Sequence, residues 1–234
     1  KSVFLEGPNL MNDQNLRKAI FHAVNRENAI TFDNAPEGSK PAKNMYSERM
    51  MGEHANFMDI GGYDVELAKE YLAKSDYDGK TLKLTITSDL ANIAQSVQED
   101  LKAIGVKTEI NQLDSNAFWA AFADGSCDIT IASWGCDYAS LEEQMGFHAG
   151  NGYYGKILYN TPEFDALLAD AANEWDDEKR GVLCEEALKL TYDFANMVPI
   201  YEDTMTNVYN ADLDGIEDIW SATFNLYLYK VKLK

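Results

Sequence analysis

Between Thr81 and Leu113 the chain switches hydrophobic period twice, and few architectures accommodate that. Thr81–Thr87 alternates, with Leu82, Leu84 and Ile86 on one side and Lys83 and Thr85 on the other, the pattern of a β-strand. Asn92–Ile104 then sets Ile93, Val97, Leu101 and Ile104 on one helical stripe, with Gly105 at the stop position. Val106–Leu113 alternates again. Strand, helix and strand with short joints predict a parallel βαβ unit with a right-handed crossover.

The flanking segments extend this α/β reading. Asp13 is placed to cap a helix over residues 13–30, whose stripe is Leu16, Ala19, Ile20, Ala23 and Val24. Residues 34–62, rich in Gly, Pro, Asn and Met, read as a long surface loop ended by Gly61-Gly62. Asp64 caps a helix carrying Val65, Ala68, Tyr71 and Leu72. Ser115 opens a short helix through Phe118, Trp119 and Phe122. Asp128–Trp134 is an almost continuous apolar run, which suits a strand buried on both faces. Thr161-Pro162 starts a helix with Phe164, Leu167, Leu168 and Ala171 at helical spacing, and residues 176–195 form a second, longer one. Val198–Tyr201, Thr204–Tyr209 and Phe224–Leu233 are expected as strands. The whole reads as one principal domain.

Composition narrows the function. The net charge of −19 repels phosphate backbones, which argues against a nucleic-acid partner and favours solubility or cationic ligands. No apolar run approaches the roughly 18 residues of a spanning helix. Of the three cysteines, Cys127 and Cys136 flank a strand whose ends lie about 30 Å apart, too far for a disulfide across an intact strand. Cys184 falls on a helix. No nucleophile elbow, P-loop, GxGxxG or HExxH occurs, so an enzyme is not indicated. His22, His54 and His148 stand in unrelated contexts. Asp212, Asp214 and Glu217 around Gly215 lack the calcium-loop spacing. Met45, Met50, Met51 and Met58 suit gap filling.

Six segments, in order, carry a resemblance: Asn15-Leu16-Arg17-Lys18-Ala19-Ile20-Phe21-His22-Ala23-Val24-Asn25-Arg26-Glu27; Tyr63 to Tyr77; Gln95 to Val106; Asp128 to Tyr138, ending Trp134-Gly135-Cys136-Asp137-Tyr138; Tyr159 to Asp165; and Val198-Pro199-Ile200-Tyr201. Together they resemble extracellular solute-binding protein family 5, the oligopeptide- and dipeptide-binding proteins of ABC importers. Asn225-Leu226-Tyr227-Leu228-Tyr229 is similar to the tail of the oligopeptide-binding branch. The resemblance implies the C-terminal lobe of a type II periplasmic-binding-protein-like fold: a mixed sheet with a parallel βαβ unit flanked by helices. On this reading residues 1–234 form that lobe, an N-terminal lobe lies upstream, and about residues 215–234 return to it. The implied partners are a peptide ligand, the missing lobe and a membrane permease. The implied location is extracytoplasmic, periplasmic or lipid-anchored, and no cofactor is implied.

Physics and resemblance meet at one loop. In open α/β sheets ligands gather at the carboxyl ends of strands. The apolar strand delivers Ser133, Trp134, Gly135, Cys136 and Asp137 to that edge. The resemblance makes Asp137 the partner of a peptide α-amino group, the alternative being a loop aspartate capping an amide. Trp134 either stacks on the ligand or is a core residue at a strand end. Backbone groups of 133–136 are placed to pair with an extended peptide. Ser133 stands where the family pattern has Gly, and Ala139-Ser140-Leu141 replaces its Asp-Pro. Ile129, Thr130 and Ile131 offer no basic residue for a peptide carboxylate. The remaining readings are the same fold with a non-peptide solute, such as a sugar, metal chelate or other cation, and an interaction module without a small ligand.

Overall fold

Alternating apolar residues close a five-stranded mixed sheet. The computed structural model describes residues 2–5, 12–47, 62–133, 141–146, 161–195, 197–204, 208–216 and 227–234. In chain order the strands are β1 (Ser2–Leu5), β2 (Lys40–Pro41), β3 (Leu82–Ile86), β4 (Thr108–Gln112), β5 (Ile129–Ala132), β6 (Met197–Pro199), β7 (Tyr201–Glu202), β8 (Leu213–Asp214) and β9 (Lys232–Leu233). The helices are α1 (Gln14–Ala23), α2 (Arg26–Phe32), α3 (Val65–Leu72), α4 (Ala91–Ala103), α5 (Ser115–Asp124), α6 (Leu141–Gly146), α7 (Pro162–Asn173) and α8 (Asp177–Phe194). The main sheet has the order β4-β3-β5-β1-β6, with two small pairs, β2-β7 and β8-β9, outside it.

The expected βαβ unit is β3, α4 and β4. The two strands run parallel, pairing Leu82 with Thr108 and Ile86 with Gln112. β5 joins the other side of β3, also parallel. Leu82, Leu84, Ile86, Ile129 and Ile131 are all fully buried, each adding about 1.5–3 kcal/mol of apolar burial. Thr85, assigned by alternation to the polar side, is buried as well and accepts a hydrogen bond from Asn111 Nδ2 at 3.4 Å. Asp128, immediately before β5, accepts from the Lys83 N–H at 3.0 Å, fixing the start of one strand beside the other.

β1 was not legible by alternation, yet it lies inside the sheet, antiparallel to both β5 and β6. Four further expectations need correction. The stretch 13–30 is two helices: Asn25 has extended backbone, caps α2 through the Asn28 N–H, and gives its own N–H to Asp100 at 2.8 Å. Val198–Tyr201 is not one strand. It divides at Ile200, whose carbonyl takes the Ala42 N–H at 3.0 Å, so β6 stays on the main sheet and β7 pairs with β2. In the tail, among the described residues 227–234, Leu228–Lys230 is a 3-10 turn and Lys232–Leu233 alone is a strand. Of Thr204–Tyr209, the described residues 204, 208 and 209 are not strand.

The resembling segments interlock. Arg17, almost wholly buried on α1, donates from Nε to the Phe194 carbonyl at 2.7 Å and lies 3.8 Å from that ring's centroid. Arg26 donates from Nε to the Pro199 carbonyl at 2.8 Å. Burial pulls both guanidinium pKa values down to about 10. The Tyr201 hydroxyl donates to Asp33. The Tyr77 hydroxyl donates to the Lys80 carbonyl at 2.7 Å and accepts from the Lys107 N–H at 2.9 Å, locking the turn that leads into β3 against the entry to β4. Cys127 and Cys184 are buried. No helix among the described residues is long and apolar enough to cross a membrane.

Candidate functional site

Three parallel strands end at the same edge of the sheet, and the segments that follow them enclose a cavity of about 270 Å³. After β3 come Thr87 and the 3-10 turn Ser88–Leu90, closed by the Leu90 N–H on the Thr87 carbonyl at 3.1 Å. After β4 comes Leu113, whose N–H extends the ladder onto the Ile86 carbonyl at 2.9 Å. Asp114 then starts α5. After β5 come Ala132 and Ser133. All three segments line the cavity, together with Phe118 and Trp119 from the first turns of α5.

The lining divides by chemistry. Leu90, Phe118 and Ala132 are buried and form an apolar floor. Trp119 is half-buried, edge-on to Phe118 at 5.1 Å and to Phe122 at 5.8 Å, so two neighbouring rings hold its orientation. The exposed rim is Ser88, Asp89, Asp114, Ser115 and Ser133. Asp114 caps α5 through Oδ1, which accepts from the Asn116 and Ala117 N–H groups at 3.0 and 3.1 Å. Among the described residues the lining contains two carboxylates and neither lysine nor arginine. Such a surface accepts an apolar stem and favours positive charge over negative.

Of the residues singled out in the sequence, Ser133 stands on this cavity. Trp134, Gly135, Cys136 and Asp137, which follow it directly, lie outside the described residues, as do Tyr138, His54, His148, Met50, Met51 and Met58. Ser88, Asp89, Asp114, Ser115 and Trp119 were missed. Their signal was position: each follows a predicted strand, and the carboxyl-edge rule applies to those strands as it does to β5. His22 is elsewhere, with Nδ1 3.2 Å from the Gly62 carbonyl and its ring stacked on Tyr71 at 5.8 Å. Among the described residues no group of three or more His, Cys, Asp or Glu is arranged to hold a metal ion.

Residues 4–156 match the family described as bacterial extracellular solute-binding proteins, family 5 Middle. Among curated relatives, the oligopeptide-binding protein OppA of Bacillus subtilis is 29% identical over 223 residues, covering 88% of this chain and 40% of that protein. The dipeptide-binding protein DppE of the same organism is 24% identical over 218 residues, covering 87% of this chain and 40% of the relative. The chain therefore spans about 40% of the length of these relatives. Among solved structures, Haemophilus influenzae OppA in complex with the peptide RPPGFSPFR superposes with a TM-score of 0.80 at 18% identity, over 99% of this chain and 48% of that one. At that identity the likeness is one of fold.

Proposed function

The chain belongs to the bacterial extracellular solute-binding proteins of family 5, and from that premise we propose that it is one lobe of a peptide-capturing protein that serves an ABC importer. The observation that carries the reading is the cavity at the carboxyl edge of β3, β4 and β5, with Ser133 on its lip. It occupies the place where open α/β sheets take ligands, and curated relatives at up to 29% identity are named for oligopeptide or dipeptide binding.

In this reading residues 1–234 form the C-terminal lobe, and peptide closes between it and a second lobe. The segment from about 215 to 234 returns to that lobe. The exposure of Tyr227, Leu228, Tyr229 and Leu233 supports this, because large apolar side chains gathered at one end of a chain gain from a cover. The protein works outside the cytoplasm and hands peptide to a membrane permease. Asp137 pairs with the peptide α-amino group, Trp134 walls the peptide, and backbone groups of residues 133–136 pair with it as an added strand. β5 carries Ile129, Thr130 and Ile131, so it supplies no cation to the peptide carboxylate.

Calorimetric titration of the full-length protein with a tripeptide set, each member free and N-acetylated, tests the proposal. Acetylation and Asp137→Asn are each expected to weaken binding by about 2–5 kcal/mol, or about 30-fold to several-thousand-fold. Equal affinity for free and acetylated peptides removes Asp137 from the role. Absence of binding to any peptide removes the function.

A further inference from the structure

We infer that the cavity beneath Ser133 is a side-chain subsite for lysine or arginine in the bound peptide, an inference that rests on the peptide-binding reading above. The size suits one long side chain: about 270 Å³ is larger than an aliphatic stem needs and too small for several residues. Leu90, Leu113, Phe118 and Trp119 offer an apolar path for methylene groups, and the carboxylates of Asp89 and Asp114 stand on the exposed rim. A lysine or arginine has that division, with a hydrocarbon stem that packs and a charged head that stays hydrated. Trp119, half-buried on the same lining, brings an aromatic ring, and such a ring attracts a cation and not an acid.

Local structure accounts for the position of the two acids but not for their charge. Asp114 spends Oδ1 on the first turn of α5, and Ser or Asn caps a helix as well as Asp does. The Asp89 carboxylate is exposed and makes no ion pair with a described residue. Among the described residues every charged group on the lining is therefore negative, and neither lysine nor arginine lines it. A glutamate side chain entering this space meets two like charges. A norleucine side chain meets the same walls and gains nothing at the rim.

The test uses full-length protein and three tripeptide series, with lysine, arginine, norleucine or glutamate as guest at each position in an alanine background, titrated calorimetrically at low and high salt. At one position lysine and arginine are expected to bind about tenfold more tightly than norleucine, as two rim carboxylates and one aromatic face allow. Glutamate is expected to be weakest there, and salt to narrow the gap. In the Asp89→Asn, Asp114→Asn double variant the lysine-to-norleucine ratio falls to about one. Asn retains the α5 cap, and unchanged thermal melting verifies folding. Removing two charges on the α7–α8 hairpin instead, Asp170→Asn with Glu178→Gln, leaves the ratio in place and excludes a general effect of the net charge of −19. Equal lysine and norleucine affinities at every position, or a ratio that survives the double variant, overturn the inference. If no tripeptide binds, the peptide reading has failed, and agmatine against 1-pentanol is titrated by amide-correlation NMR. Amine-specific shifts at Ser88, Ser115 and Ser133 that vanish in the double variant then uphold the cation-selective cavity, and their absence overturns it.

Discussion

Asp13 joins segments 63 residues apart, and its two oxygens do separate jobs. Oδ1 accepts from the N–H groups of Asn15 at 2.8 Å and Leu16 at 3.3 Å, capping α1. Oδ2 accepts from the Asp76 N–H at 2.6 Å, tying the loop after α3 to the start of α1. Asp13→Ala removes both. Asp13→Asn keeps one carbonyl oxygen but turns an NH₂ group toward the other donor. The cap is worth about 1 kcal/mol, and the hydrogen bond from Asp76 to a charged acceptor about 1.5 kcal/mol at this exposure. Asp13→Asn should therefore cost about 1.5 kcal/mol and Asp13→Ala about 2.5. If the amide of Asn turns the other way, the cap is lost instead and the cost stays intermediate. With a urea m-value near 2.5 kcal/mol/M, the midpoints fall by about 0.6 and about 1 M. Urea unfolding followed by circular dichroism reads the midpoints, and exchange of the Asp76 amide reads the lost bond. An Asp13→Asn midpoint equal to wild type would show that the Asp76 link contributes nothing. A midpoint equal to that of Asp13→Ala would show that the two oxygens do not act separately.

The Asp100 carboxyl is pushed up to about 6 from 3.8 by burial, partly offset by the Asn25 N–H it accepts. Between those two values the folded state holds a proton that the unfolded state has released, so stability falls as pH rises through the window. Asp100→Asn should flatten that fall and exceed wild type at neutral pH; an unchanged stability-versus-pH curve refutes it. Gly215 has φ +76°, and a Cβ there would sit 2.5 Å from the Lys230 carbonyl oxygen. Gly215→Ala should open the β8–β9 pair, read as faster exchange of the Lys234 amide, while the main sheet keeps its protection; retained protection at Lys234 counts against the contact. Arg17→Ala should cost about 3 kcal/mol, because it removes buried packing and the hydrogen bond to the Phe194 carbonyl. A loss under about 1 kcal/mol, seen by thermal or urea unfolding, would mean the site is filled by its neighbours or by water.

What the sequence made legible was local. β3, α4 and β4 each carry their burial in their own period, so Leu84 or Val97 announces its face within a few residues. Helix starts were legible for the same reason: Asp13, Asp64 and Thr161 each bond to an amide no more than three residues away. β1 was not, because four residues hold too little alternation, and what makes them strand is pairing with residues about 125 and 195 positions away. The break at Asn25 was hidden because the apolar stripe runs on to Val24 while the competing acceptor, Asp100, is distant in sequence. Ile200 divides its strand for a similar reason, through a bond to Ala42.

The candidate site divides along another line. The segments that resemble the family are largely those that brace the fold: Arg17 on the end of α8, Arg26 on the end of β6, Tyr77 across the entry to β4, and Asp128 between β5 and β3. A framework needs those bonds whichever solute it takes, so they identify the architecture and its binding edge without naming the chemistry there. Asp89, Asp114 and Trp119 fall outside all six segments. Asp89 and Asp114 occupy turns whose backbone other residues could serve equally well, so the charges that they add do no bracing, while Trp119 packs on Phe118 and Phe122 within α5. A polar or aromatic side chain that its own turn does not require, set at the carboxyl end of a buried strand, is where this fold can vary its ligand without endangering itself. That criterion can be read from sequence once the strands are placed, and it selects the cavity-lining acids that the resemblance passes over.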